Sequence, residues 1–154
     1  MPLSEPIRLS DYEELIREVL ASGGEFRLYP RGTSMLPLIR QGLDSVALRQ
    51  LDRPPRKYDI LFYKRADGSF VLHRVKEVTP TGLTIWGDNQ YRLEHGVTDD
   101  QIIGYAARIF RGETELDCQS LKYRVYLRLW QFKAVRRILL PIAYHFRKEK
   151  IHKC

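Results

Sequence analysis

Side chains of three kinds that could together carry out nucleophilic chemistry lie far apart in this chain: a serine at 34, a histidine at 73, and carboxylates from 88 onward. Ser34 sits in the run RGTSMLPLIRQGLDSVAL, residues 31–48. Gly32 permits backbone angles closed to other residues, while Pro37 fixes its own φ and biases Leu36 towards extended angles. A serine between two such constraints is held in one orientation. Its hydroxyl, of ordinary pKa, reacts only when a base and an oxyanion site are aligned with it. The same residues also describe a common Gly/Ser/Pro turn between strands. His73 stands in Val71-Leu72-His73-Arg74-Val75. As a strand, this puts Val71, His73, Val75 and Glu77 on one face and Arg74 and Lys76 on the other. A histidine between inward valines is partly buried, with an ordinary pKa near working pH; a core histidine satisfied by a backbone carbonyl is the alternative. Trp86-Gly87-Asp88-Asn89-Gln90, followed by Glu94, reads alone as a turn. In this order the three segments supply a nucleophile, a base and a group to orient the base.

The elements that must position these groups follow from periodicity. The 154 residues suggest one domain, 1–154, large enough to bury a sizeable core. Ser10 and Glu13 form a capping-box pattern ahead of Tyr12, Leu15, Ile16, Val19 and Leu20 at helical spacing, and Gly23-Gly24 supplies a stop, so a helix is predicted over 9–22. From Glu25 the period shortens to two, and short strands separated by breakers run through 25–117. The fold class is therefore mainly β, with an N-terminal amphipathic helix and a C-terminal basic helix over 119–146. In the last helix Leu121, Val125, Leu129, Phe132, Val135, Leu139 and Ile142 keep a helical period, and Pro141 should end or kink it.

Charge is distributed unevenly. The chain carries +7, but residues 121–154 carry +9 and residues 1–120 carry −2. No apolar run reaches the length that spans a bilayer, and no leader pattern opens the chain, so a cytoplasmic protein is expected. Cys118 and Cys154 lack metal-ligand spacing and fit a reducing compartment. No cofactor or metal is expected.

Several of these residues resemble the motifs of the signal peptidase I superfamily, which includes the LexA-like, self-cleaving SOS repressors. The family's serine box is similar to Gly32, Ser34, Met35, Pro37, Gly42, Asp44 and Val46, with Ile39 where leucine is usual and Leu43 inserted before Asp44. Tyr58-Asp59-Ile60 resembles the entry to the next box, with Tyr58 where glycine is usual. His73-Arg74-Val75 resembles the branch of the endoplasmic reticulum and archaea, where histidine replaces a lysine base. Gly87-Asp88-Asn89 and Ile103-Gly104 resemble the last boxes. The resemblance covers about 26–110 and implies a signal-peptidase/LexA-like β domain. It implies Ser34 as nucleophile, His73 as general base, and Glu94, where the triad aspartate would fall, as orienter. Asp88, Gly32, Met35 and Asn89 take supporting roles. Asp99 and Asp100 remain alternative carboxylates if the loop holds an insertion, and Lys64 and Lys76 are rival bases. With Gly32 where some relatives place a hydroxyl, the oxyanion hole falls to backbone N–H groups, that of Ser34 included.

The expected activity is serine endopeptidase cleavage of leader, signal or small precursor peptides. A self-cleaving regulatory domain would use Ala21-Ser22-Gly23-Gly24 as a cut site, although a helix cap explains those residues equally. A non-catalytic peptide- or nucleic-acid-binding module is the third class. Nucleic acid fits less well, because the tail's aromatics follow its apolar stripe rather than its basic face. The basic helix, with Tyr126 and Trp130, is a candidate for peripheral contact with the inner face of a membrane, against the alternative that its apolar face packs on the body.

Overall fold

A computed structural model describes residues 9–139 and 141. The lead-in at 1–8, Ile142, the end of the predicted 119–146 helix and Cys154 lie outside the described residues. The predicted N-terminal helix is split into a 3-10 turn, Leu9–Tyr12, and an α-helix, α1, Glu13–Ala21. The expected capping box does not form. Ser10 bonds to Asp11, and Tyr12 supplies no side-chain cap. The Glu13 carboxylate instead takes Lys64 Nζ at 2.6 Å and Arg17 Nε at 3.1 Å, charged donors that outcompete a neutral N–H. At the other end Gly23, with φ +83, lets its own N–H and that of Gly24 return to the carbonyls of Leu20 and Val19. Ile16 and Leu20 are the buried stripe of α1.

The mainly β expectation holds. Eight strands form one antiparallel sheet: β1 Phe26–Leu28, β2 Asp44–Arg49, β3 Ile60–Lys64, β4 Phe70–Thr79, β5 Gly82–Trp86, β6 Glu94–Val97, β7 Ile102–Arg111 and β8 Thr114–Glu115. The order is β1-β2-β7-β3-β4-β5-β6, with β8 on β7. Strands β2 and β3 are buried at almost every position because both faces are covered. On one face Ile16, Leu20, Met35, Leu38, Ile39, Val46, Leu48, Ile60, Phe62 and Leu72 pack together; on the other lie Leu61, Tyr63, Val71, Val75, Leu83, Ile85 and Val97.

The alternation expected along β4 holds only as far as Val75. Val75 pairs with Ile85, but Glu77, not Lys76, pairs with Thr84, so one extra residue bulges out. Glu77 thereby leaves the face of His73 and becomes exposed. Lys76 lies over Trp86, 4.6 Å from the ring centroid.

The C-terminal region also departs from expectation. Helix α2 covers Leu121–Leu129, capped by Ser120, and the helix is interrupted at 130–132 before resuming at 133–139. The break precedes Pro141 by several residues. Its inward face is not the aliphatic stripe but Tyr123, Tyr126 and Trp130, whose rings stack in sequence. The reason lies beneath it, where Arg74 and Asp88 form an ion pair with both side chains 1% exposed. Burial of such a pair is tolerable only if its remaining hydrogen-bonding positions are filled, which tyrosine and tryptophan can do and leucine cannot. Tyr126 donates to the Asp88 carboxylate at 2.7 Å, Trp130 Nε1 to the Asp88 carbonyl at 2.7 Å, and Tyr123 OH accepts from Arg74 at 3.3 Å.

Candidate active site

Ser34 opens a turn, 34–38, that links β1 to β2. Met35, Leu38 and Ile39 are buried in the core and anchor this turn from below. Its far end is closed by Arg40, whose N–H and guanidinium grip the fully buried carboxylate of Asp44 through three contacts of 2.8 Å. Leu43, the inserted residue, projects outward at 54% exposure and leaves that clamp intact. Gly32, at φ +89, donates its N–H to Gln41 Oε1 at 2.6 Å. From the other side Asn89 holds the turn by its N–H to the Ser34 carbonyl, 2.8 Å, and its Nδ2 to the Thr33 carbonyl, 3.0 Å. Among the described residues, the Ser34 hydroxyl and N–H have no hydrogen-bond partner.

Gly87 joins this turn to the histidine. A Cβ at Gly87 would lie 2.6 Å from the Ser34 carbonyl oxygen, so only glycine lets the two segments touch. The antiparallel register sets Arg74 opposite Trp86. Gly87 follows directly after this last pair, on the side of the ladder towards His73. The Ser34 turn thus meets the chain at the residue that follows the last β4–β5 pair.

His73 is 3% exposed and points into the second core face, its ring edge-on to Tyr63. Its Nδ1 lies 3.6 Å from Glu94 Oε1. Burial depresses the imidazole pKa to about 4, and the attraction of Glu94 offsets only part of that effect. The ring is neutral at pH 7, the form a general base requires. Glu94 is fixed in turn: Tyr63 donates to it at 2.9 Å, and Arg65 binds both oxygens, one through Nε at 2.9 Å and the other through Nη2. Burial disfavours its charge, but these donors outweigh that and hold its pKa below the usual carboxylate value. A cavity of ≈ 610 Å³ lined by Arg65, Asp67, Gln90, Tyr91, Arg92 and Glu94 opens beside this carboxylate.

The structure therefore brings Gly87 and Asn89 against the Ser34 turn and, separately, Glu94 beside His73, with Met35 as a core anchor. Asp88 is committed to Arg74 and α2. Asp99 lines a different cavity with Arg17 and Arg53, and Asp100 accepts from the Thr98 hydroxyl; neither contacts His73. Lys64 lies on the opposite strand face to Tyr63 and is paired with Glu13. Sequence reasoning missed Tyr63 and Arg65 as the pair that aims Glu94. Alternation alone places Tyr63 on the His73 face, but nothing local shows that β6 returns its first residue there. It also missed Arg136, which stacks on Trp86 and Tyr91 at 4.2 and 4.9 Å and donates to the Gln90 carbonyl. No cluster of His, Cys, Asp and Glu suited to a metal ion occurs among the described residues. Comparison with protein-family models, with curated proteins and with solved structures gives no match.

Proposed function

We propose that this chain is a serine endopeptidase of signal-peptidase type that cleaves leader, signal or small precursor peptides in trans. The observation that carries the reading is the series Arg65/Tyr63, Glu94, His73, together with the close approach of the Ser34 turn to Gly87, the residue after the last β4–β5 pair. Ser34 Oγ attacks the scissile carbonyl while His73 Nε2 takes its proton, and the Ser34 N–H stabilises the oxyanion. His73 then returns the proton to the departing amine, leaving an acyl-enzyme. Water attacks that ester, His73 accepts the water's proton, and Ser34 leaves with it as the peptide acid departs. Among the described residues, His73 Nδ1 is buried without a hydrogen-bond partner, 3.6 Å from Glu94. On substrate binding Glu94 closes to hydrogen-bond distance, holds the proton on Nδ1 so that Nε2 presents its lone pair, and stabilises the imidazolium that forms.

Two further facts favour this class. The resembled motif has glycine where this chain has Tyr58, and the backbone there takes φ +79, an angle natural to glycine. The candidate self-cleavage segment, 21–24, is occupied as the cap of α1, with Ser22 Oγ also bonded to the Val19 carbonyl, which favours cleavage in trans.

A proteome-derived peptide library digested by wild type and by Ser34→Ala tests the reading and reports cut-site preference together. Cuts made by wild type and absent with Ser34→Ala are expected. No cuts by either protein, or the same cuts by both, would refute it. Intact mass after long incubation should stay unchanged; a fragment dependent on Ser34 would replace trans cleavage by self-cleavage.

A further inference from the structure

Helix α2 spends its aromatic face on the Arg74–Asp88 pair, and this leaves an apolar row pointing away from the body. Leu121 is 74% exposed, Val125 44% and Leu129 45%, and Phe132 just beyond the helix is 62% exposed. The first three stand at i, i+4 and i+8, a single line along the outer surface. Arg124 and Arg128 flank that line on one side and Lys122 on the other, all exposed. The next helical stretch continues the pattern with Ile138 and Leu139 exposed beside Lys133 and Arg137.

We infer that this outer face is a docking surface for an anionic lipid bilayer. Aliphatic side chains in a row with cationic chains on both flanks fit an interface in which the former enter the acyl boundary and the latter reach back to phosphates. The alternatives fit less well. A second copy laid row against row would bring cationic side chains of like charge together at its margins. A nucleic acid would satisfy the arginines and lysines but would leave the leucines and valine against a polar backbone. No helix among the described residues is long and apolar enough to cross a membrane, so the contact is superficial. Because Tyr126 and Trp130 bolt the inner face to Asp88, one residue from Gly87, docking sets the height of the Ser34 turn above the lipid surface. The inference itself rests on the helix and uses no part of the peptidase reading.

Co-sedimentation of the full chain with vesicles tests it, using phosphatidylcholine alone or mixed with phosphatidylglycerol, at low and high salt. Association with the mixed vesicles only, weakened by salt, is expected. Val125→Glu with Leu129→Glu should abolish it. Arg124→Gln with Arg128→Gln should weaken it roughly 20- to 30-fold, since each surface charge is worth about fivefold. All four sites are exposed, so both variants should keep the wild-type circular dichroism and thermal midpoint. No vesicle association, or association indifferent to both variants, would overturn the inference. So would a concentration-dependent dimer, or salt-sensitive RNA binding, that the variants abolish while vesicles go unbound.

Discussion

Replacing Glu94 by Gln removes the charge facing His73 while keeping the side chain's size. In the transition state His73 becomes an imidazolium with Nδ1 3.6 Å from the Glu94 oxygen. At an effective dielectric near 20 that attraction is about 5 kcal/mol. The Arg65 guanidinium, bound to the same carboxylate, works against it, and taking about half as the net leaves roughly 2–3 kcal/mol, equivalent to a 30- to 150-fold fall in kcat. The amide can also donate to Nδ1, which moves the ring proton to Nε2 and adds to the loss. The acid limb of the pH–rate profile supplies an independent reading. In wild type it should follow His73, at about pH 4 rather than near 6.5. Because Glu94 attracts the protonated ring, its loss should move the limb further down. The assay is hydrolysis of a fluorogenic peptide selected from the library hits, measured across pH. Unchanged kcat in Glu94→Gln, alongside an inactive His73→Ala, would refute Glu94 as orienter, as would an acid limb that moves up.

Gly87→Ala puts a methyl 2.6 Å from the Ser34 carbonyl; the serine turn must move, and turnover should fall ~100-fold while urea unfolding changes much less. Asp88→Asn leaves the Arg74 charge buried without its partner, for an expected loss of about 3–5 kcal/mol in urea unfolding and a red shift in tryptophan fluorescence as α2 loosens. Lys64→Met breaks a partly exposed pair with Glu13, so stability should change by at most ~1 kcal/mol and turnover should persist; lost turnover would make Lys64 the base. Because the folded protein holds His73 near 4 and the unfolded chain protonates near 6.5, the unfolded state binds the extra proton between those values. Stability should therefore decline by roughly 3 kcal/mol as pH falls through that window, and His73→Gln should flatten the decline.

Period and punctuation in the chain were enough to find α1, the succession of strands and the serine turn, because each depends on neighbours within a few residues. Gly23, the alternation of Val71, His73 and Val75, and the apolar anchors Met35, Leu38 and Ile39 are local signals of this kind. The resemblance of short motifs then named Ser34, His73 and Glu94 without showing that they meet. What the structure adds depends on strand order and register: the end of β5 delivers Gly87 to the Ser34 turn, and β6 returns Glu94 to His73 on β4, Tyr63 on β3 and Arg65 just beyond it. Such pairings join residues tens of positions apart, and no local periodicity encodes them. The bulge that turns Glu77 outward is likewise decided between strands. Tertiary structure also reversed the expected inner face of the last helix. Hydrophobicity favoured Leu121, Val125 and Leu129, but the buried Arg74–Asp88 pair needed hydrogen-bonding partners, and Tyr123, Tyr126 and Trp130 could supply them. An unpaired buried charge costs more than a few exposed leucines, so polar satisfaction rather than the apolar stripe set the docking.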